Sequence, residues 1–144
     1  QERVFERVLR ACAEQGGKII TVHSVRSAGK VLAHIERALP PDRGRTVLHW
    51  FTGTAAEARR AVALGCYFSI NSEMLRSPKH RALVAGLPGD RLLTETDGPF
   101  VERAGRPARP RDVADTVTQL AGVRGELPLA TARIVVANLR ALLS

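Results

Sequence analysis

Aromatic residues, cysteines and long apolar runs are all scarce in this chain of 144 residues. Four Phe, one Trp and one Tyr are too few to form a surface on which many bases of a single nucleic-acid strand could stack. The two cysteines, Cys12 and Cys66, lack the paired spacing of a zinc or redox motif, so we interpret them as small buried residues. No run of about 18 apolar residues is present, and the first ten residues lack the pattern of a signal peptide. We therefore expect one soluble, cytoplasmic globular unit.

Positive charge predominates in the sequence. Lys and Arg number 22 against 14 Asp and Glu, which gives a formal net charge of +8. Such an excess favours polyanionic partners, although a solvated, Arg-rich surface would give the same count. Because aromatic residues are few, any binding of nucleic acid would be mostly ionic.

Helix-like and strand-like patterns alternate along the chain. The strand-like runs are KIITVH, RTVLH, CYFSI and LLTET. A helical pattern precedes the first run and another follows each run, with start and stop signals such as Gly16-Gly17 and the T-x-x-E box from Thr54 to Glu57. Near-continuous apolar runs are typical of parallel strands that are buried on both faces. The pattern therefore predicts an α/β fold.

Metal-ligand side chains stand at the ends of three strand-like runs. His23 closes KIITVH, His49 closes RTVLH, and Asp97 directly follows LLTET. In barrels of alternating strands and helices, the carboxyl ends of the strands form the rim where the chemistry takes place. Imidazoles and a carboxylate together suit divalent Zn, Mn or Mg. Each histidine alone would more simply be a satisfied polar residue, but three such residues at matching positions predict a metal site.

Two further features lie outside this pattern. His34 and His80 fall within helical patterns among polar neighbours, so we interpret both as surface residues. The segment after Asp97, GPFVERAGRPARPRD, is rich in Gly, Pro and Arg and predicts a long loop. In this loop Arg106 and Arg109 would contact a nucleic-acid backbone, or the loop would simply pack on the mouth of the fold.

These motifs resemble those of a known family, the TatD-like metal-dependent deoxyribonucleases, which are hydrolases with a TIM-barrel fold. VHSVRSAG resembles the family's fifth-strand motif, which implies that His23 binds metal and that Arg26 contacts a phosphate of the substrate. LHWFTGT resembles the sixth-strand motif and implies that His49 is a second ligand. LLTETDGPF resembles the eighth-strand motif, which implies that Asp97 binds metal and orients or deprotonates the attacking water, with Glu95 as a further catalytic residue. The implied cofactor is one or two divalent ions, Mg, Mn or Zn.

Two of these roles have structural alternatives. Arg26 could instead form an ion pair at the rim of the fold. Glu95 could be a buried carboxylate that is paired with Arg91 or another arginine, or it could orient a neighbouring group.

The resemblance covers nearly the whole chain but only the second half of the family's fold. GCYFSIN and VANLRALL match the seventh strand and the closing helix, whereas the first-strand His-x-His pair and the fourth-strand Glu have no counterpart. Because a TIM barrel takes about 250 residues, residues 1–144 would form strands five to eight, a partial barrel whose N-terminal half is absent. Such a half would expose strand edges and an apolar face. We therefore expect the missing half-barrel or another subunit as a partner.

The function implied by the resemblance is metal-dependent hydrolysis of phosphodiester bonds in DNA, for example by a 3′-5′ exonuclease. HWFTG and ETDGPF further resemble motifs of TatD-like nucleases from Qat-type antiphage operons, which implies a role in defence. Two other interpretations stay open. One is a metallohydrolase of small esters, amides or lactones on the same barrel, and the other is a catalytically incomplete fragment that serves as an interaction subunit.

Overall fold

The computed structural model describes residues 1–144, and the chain divides into two compact units, Gln1–Tyr67 and Phe68–Ser144. The first unit contains α1 (Glu2–Gln15), β1 (Lys18–His23), α2 (Ala28–Ala38), β2 (Gly44–His49) and α3 (Ala55–Ala63). At the boundary β3 (Tyr67–Ile70) begins, and α4 (Pro78–Ala85), β4 (Leu92–Thr94), the hairpin strands β5 (Glu102–Arg103) and β6 (Arg106–Pro107), α5 (Val113–Arg124) and α6 (Pro128–Leu143) follow. The predicted alternation of helices and strands is confirmed.

In the first unit, β1 and β2 are parallel and pair over their full length, from Lys18 opposite Gly44 to His23 opposite His49. The helix between them buries one face, which carries Val31, Leu32 and Ile35. Fully burying a side chain of this size contributes about 1.5–3 kcal/mol, so this face holds α2 firmly in place. The α/β class predicted from the sequence is therefore confirmed, with parallel strands.

The capping box predicted at the start of α3 is present. Thr54 is the N-cap of α3, and its side chain and that of Glu57 form a reciprocal capping box. Gly65 follows the helix with φ of 75°, a left-handed conformation that glycine adopts without strain. The chain then turns directly into β3.

Strand β1 differs from the expectation of strands buried on both faces. Only Val22 of its six residues is buried, and Ile19 is 41% exposed. The helix before it, α1, buries only Leu9 completely and leaves Val4 64% exposed. The apolar pattern of KIITV is therefore correct for a strand but not for its burial, because β1 pairs with β2 alone and lies at an edge of the sheet.

In the second unit, β3 and β4 are parallel, with Phe68 opposite Leu92. All residues of β3 are buried, as its apolar run predicts. The closing helix is tied to the start of β4, because the Asn138 side-chain amide donates to the carbonyl oxygens of Gly89 at 2.7 Å and Leu92 at 2.8 Å. These contacts align α6 with the strand whose far end leads to Glu95 and Asp97. No helix in the chain has both the length and the apolar character needed to cross a membrane.

Candidate functional site

His23 and His49 lie side by side at the carboxyl ends of neighbouring strands. The register of β1 and β2 pairs them directly, and their ring centroids are 5.1 Å apart with an angle of 43° between the ring planes. The ring of His23 also meets Trp50 edge to face at 6.5 Å. Bonds between a metal and an imidazole nitrogen are about 2.1 Å long, so two rings whose centroids are 5.1 Å apart would be near enough to hold the same divalent ion.

The backbone adopts a strained conformation just after several strands. Four residues other than glycine have positive φ, and three of them are Arg26 at 56°, Trp50 at 46° and Asp97 at 53°. For a residue with a side chain this conformation costs about 1–3 kcal/mol and persists only where the surrounding structure requires it. Because strain of this kind clusters at binding and catalytic sites, we interpret these loops as functional segments.

Arg26 lies beside a cavity of the first unit. The cavity has a volume of about 410 Å³, and its lining includes His23, Arg26, Lys30 and His34. Lys30 is paired with Glu2 at 2.8 Å, whereas Arg26 is exposed and forms no ion pair. The rim ion pair, considered as the alternative role for Arg26, is therefore not formed, and its guanidinium group is available to an anionic ligand.

His34 corrects one expectation from the sequence. Its side chain is only 12% exposed and lies 3.6 Å from the Glu2 carboxylate and 3.8 Å from that of Glu6. Its ring also packs edge to face on Phe5, with 5.8 Å between the ring centroids. The interpretation of His34 as a surface residue was wrong because α1 packs over this face of α2, a contact that no local pattern predicts.

Glu95 is positioned by a residue that the sequence analysis missed. The Asn71 side-chain amide donates to the Glu95 carboxylate at 3.0 Å, and its carbonyl oxygen accepts from the Met74 backbone N–H at 3.0 Å. Asn71 is fully buried, and the backbone N–H of Glu95 donates to the carbonyl oxygen of Ile70 at 2.9 Å. Asn71 directly follows β3, just as the predicted site residues end or follow the other strands. This position was the signal that could have identified it.

Asp97 begins a tightly built turn. Its carbonyl oxygen accepts from the Val101 backbone N–H at 3.0 Å, and the peptide bond between Gly98 and Pro99 is cis. A Cβ atom at Gly98 would overlap the carbonyl oxygen of Ala108. Glycine is therefore required at this position because another backbone segment lies so close. This close packing determines the direction of the chain after Asp97.

The basic loop after Asp97 is largely held by its own ion pairs. Arg106 binds the Asp112 carboxylate through two hydrogen bonds of 2.7 and 2.8 Å, and the backbone N–H of Arg109 donates to the same carboxylate at 2.8 Å. These contacts hold the pKa of Asp112 well below its usual range, with the side-chain bond from Arg106 as the largest cause. Arg103 is paired with Asp115. Arg106, proposed from the sequence as a phosphate contact, is thus engaged in building the loop, whereas the Arg109 side chain is exposed and forms no ion pair.

Nowhere in the chain do three or more His, Cys, Asp or Glu side chains form a group that could hold a metal ion. The structure brings together His23 and His49 in one unit, and Asn71 and Glu95 in the other. The paired imidazoles match the ligand chemistry of Zn, Mn or related divalent ions, so they fit part of a metal site.

Comparison with protein families gives a match over the whole chain. The sequence model of the family described as TatD related DNase matches residues 1–144. The chain belongs to this family. It is similar to a 3′-5′ ssDNA/RNA exonuclease TatD of Cronobacter sakazakii, with 36% identity over 138 residues that cover 89% of this chain and 52% of the relative. This chain therefore spans about half the length of the curated TatD relatives that it matches.

Solved structures support the same assignment. A TatD homologue of Escherichia coli, YjjV, superposes with a TM-score of 0.74 and 31% identity over 86% of this chain and 49% of its own. An uncharacterized amidohydrolase of Saccharomyces cerevisiae gives a TM-score of 0.82 over 99% of this chain and 59% of its own. Because the yeast protein is only 15% identical, this second similarity shows the fold alone.

Proposed function

We propose that this chain supplies part of the active site of a metal-dependent nuclease that hydrolyses phosphodiester bonds in DNA. The observation that carries the proposal is the pair of imidazoles at matching strand ends, 5.1 Å apart, in a chain of the TatD family. Further support comes from a relative named as a 3′-5′ ssDNA/RNA exonuclease and from the net charge of +8, which favours a polyanionic substrate.

In this proposal His23, His49 and Asp97 hold one or two divalent ions, Mg, Mn or Zn. When bound, such an ion would supply Lewis acidity for the attack of water on the scissile phosphate. Asp97 orients the attacking water or accepts its proton, and Glu95, oriented by the hydrogen bond from Asn71, assists in this step. Arg26 donates hydrogen bonds to the phosphoryl oxygens, on which negative charge increases in the transition state.

We also propose that residues 1–144 form the part of a TIM-type barrel that contains strands five to eight. The partner would be a half-barrel, in the same or another polypeptide, that corresponds to the rest of the relatives' length and supplies the remaining metal ligands. Exposed apolar residues support this proposal in each unit: Val4 and Val8 of α1 are 64% and 45% exposed, and Leu129 and Leu143 of α6 are 63% and 65% exposed. A partner half-barrel would cover apolar side chains of this kind.

The test of the metal site is His49→Ala, with His80→Ala on α4 as the matched control. In a protein that carries both halves of the barrel, we expect His49→Ala to lower metal-dependent cleavage of a labelled single-stranded DNA oligonucleotide by more than about 100-fold, because a ligand is lost. His80→Ala should leave the cleavage rate unchanged. Full activity of His49→Ala would refute the assignment of the site, and a wild-type protein that cleaves no DNA with Mg, Mn or Zn would refute the function.

A competition experiment separates the nuclease from a hydrolase of small esters or lactones. Nucleotides should inhibit cleavage if the substrate is nucleic acid, whereas they should leave hydrolysis of a small ester unaffected.

The finer proposal, a role in antiphage defence, rests on HWFTG and ETDGPF. It predicts that cells carrying the intact operon lose protection in a plaque assay when His49, but not His80, is replaced by Ala.

A further inference from the structure

The second unit contains a cavity of about 400 Å³ beside Thr96, the residue between Glu95 and Asp97. Three segments form its walls: Ser72 and Arg76 follow β3, Arg103 comes from the hairpin, and Gln119 comes from α5. Pockets for small molecules typically measure about 300–1,000 Å³, so this cavity is large enough for one flat heterocycle. It lies at the carboxyl ends of β3 and β4, on the side of the unit that carries Glu95.

Almost every charged side chain in this cavity is already paired. Arg76 binds the Glu73 carboxylate at 3.0 and 3.2 Å, and Arg103 is paired with Asp115. Asp112, another lining residue, is engaged by Arg106. A phosphate group requires cationic donors that are free to bind it, as in bidentate arginine sites. The cavity is therefore suited to a ligand group without net charge.

The uncharged polar groups of the cavity are free. The hydroxyl groups of Ser72, Thr96 and Thr116 and the amide of Gln119 line it, and none of them forms a side-chain hydrogen bond within the protein. Hydroxyl and carboxamide groups can both donate and accept hydrogen bonds. Val101, which is buried, adds apolar surface to the wall. The combination of an apolar wall with several free donors and acceptors is complementary to a nucleobase, which has flat apolar faces and hydrogen-bonding edges.

We propose that this cavity binds one nucleobase of the nucleic-acid strand that is cleaved, with Gln119 at its rim and Thr116 on its floor contacting the edge of the base. The inference rests on the proposed nuclease function. Gln119 is exposed and thus accessible to a ligand, whereas Thr116 is 2% exposed and lies deep in the wall. Because Thr96 precedes Asp97 directly, a base held here would position its phosphate group near the proposed metal ligand. Gln119 and Thr116 would then be determinants of base preference.

The experiment is a titration of the 144-residue protein with 2′-deoxynucleosides in the presence of EDTA. Binding is measured from the backbone amide signals in NMR spectra. Deoxynucleosides contain a base but no phosphate group, so we expect binding that shifts the amide signals of residues 72–76 and 116–119. Loss of one hydrogen bond to the ligand corresponds to about a three- to tenfold weaker affinity, which is the effect expected for Gln119→Ala. Thr116→Val keeps the shape of the side chain and should weaken binding by a similar factor.

The matched control is Gln15→Ala at the end of α1, which should leave the affinity unchanged. Equal weakening by Gln15→Ala, or no binding of nucleosides to the folded protein, would overturn the inference. A second ligand, 2-deoxyribose 5-phosphate, contains the phosphate group without the base and should bind more weakly. If it shifts the same signals with equal affinity, the cavity recognises phosphate and the proposal is wrong.

The outcome for this cavity can be separated from the outcome for the proposed function. Nucleoside binding by the 144-residue protein, together with no DNA cleavage by a protein that carries both halves in the presence of Mg, Mn or Zn, would refute the nuclease function and leave the base site in place. DNA cleavage by a protein whose amide signals do not respond to nucleosides would refute the base site alone.

Discussion

The segments that leave the strands are held in different ways in the two units. In the first unit, the segment that leaves β2 ends in a local capping box at the start of α3. The backbone N–H of Thr54 donates to the Glu57 carboxylate at 2.7 Å, and the N–H of Glu57 donates to the Thr54 hydroxyl at 3.2 Å. In the second unit, two contacts reach further along the sequence: Asn71 binds Glu95 at a separation of 24 positions, and Gly98 lies against the Ala108 backbone.

This difference determines how each part of the proposed site can fail. The histidines of the first unit are placed by strand register, which depends on many backbone hydrogen bonds and on no single side chain. The carboxylate of Glu95 depends on the buried Asn71, and the turn after Asp97 depends on Gly98, which lies close to another backbone segment. Single substitutions away from the ligands should therefore disturb the second unit more than the first.

The largest effect is expected for Gly98→Ala. Its Cβ atom would overlap a backbone carbonyl group that cannot rotate away, so we expect a loss of about 3 kcal/mol in the free energy of unfolding. The matched control is Gly122→Ala on α5, where a Cβ atom would meet open space and the helix should gain about 0.5–1 kcal/mol. Thermal unfolding measures both changes. Equal stability of the two variants would show that the loop after Asp97 can move to accommodate the added Cβ atom. The second unit would then not depend on Gly98 as described above.

The second largest effect is expected for Asn71→Ala. The buried N–H of Met74 would lose its acceptor and Glu95 its donor, at a cost of about 1–3 kcal/mol. Asn138→Ala also removes a buried amide with two partners, but this residue has no contact with Glu95. Both variants should lower the unfolding temperature, and only Asn71→Ala should also lower the cleavage rate in a protein with both halves. Equal cleavage rates at a temperature where both are folded would argue against a positioning role for Asn71.

A smaller effect is expected in the first unit for Thr54→Ala. Removal of the capping hydroxyl should cost about 1 kcal/mol, because the N–H of Glu57 loses its acceptor. Ser27 is the N-cap of α2 but makes no capping hydrogen bond, so Ser27→Ala should change the free energy of unfolding by much less. Chemical denaturation of the two variants tests this order. A larger loss of unfolding free energy for Ser27→Ala than for Thr54→Ala would contradict the assignment of the capping hydrogen bond to Thr54.

The smallest effect should appear only in acid. The pKa of Asp112 is lowered by Arg106 and by the N–H of Arg109, so its folded pKa lies below the unfolded value of about 3.9. The carboxylate therefore adds stability above about pH 4, and this contribution is lost as the pH falls below that value. Asp112→Asn should flatten the decline of the unfolding temperature between about pH 5 and pH 3. The control is Asp42→Asn, at an exposed turn before β2. If the unfolding temperature of Asp112→Asn falls with pH as steeply as that of the wild type, the predicted role of the ion pair between Arg106 and Asp112 is wrong.

Much of the fold could be predicted because its signals are local. The capping box at Thr54, the buried face of α2 and the left-handed turn at Gly65 all arise from residues within a few positions of one another. His23, His49 and Asp97 were identified for a related reason, since a strand of known direction shows in the sequence which side chain ends or follows it. Arg26 and Glu95 were implied only by the resemblance to the TatD family. The ion pair between Arg106 and Asp112 could not be predicted, because nothing in a Gly- and Pro-rich loop indicates which of its arginines will meet a carboxylate.

The sequence by itself determined the order of helices and strands, the parallel α/β class, and the strand-end positions of His23, His49 and Asp97. These features depend on periodicity and on turn residues, which act over one or two turns of chain. Only the tertiary structure decided that His34 is covered by α1 and that Asn71 holds Glu95. Burial and buried hydrogen bonds depend on which segments, distant in sequence, pack against each other. A short stretch of sequence does not contain that information.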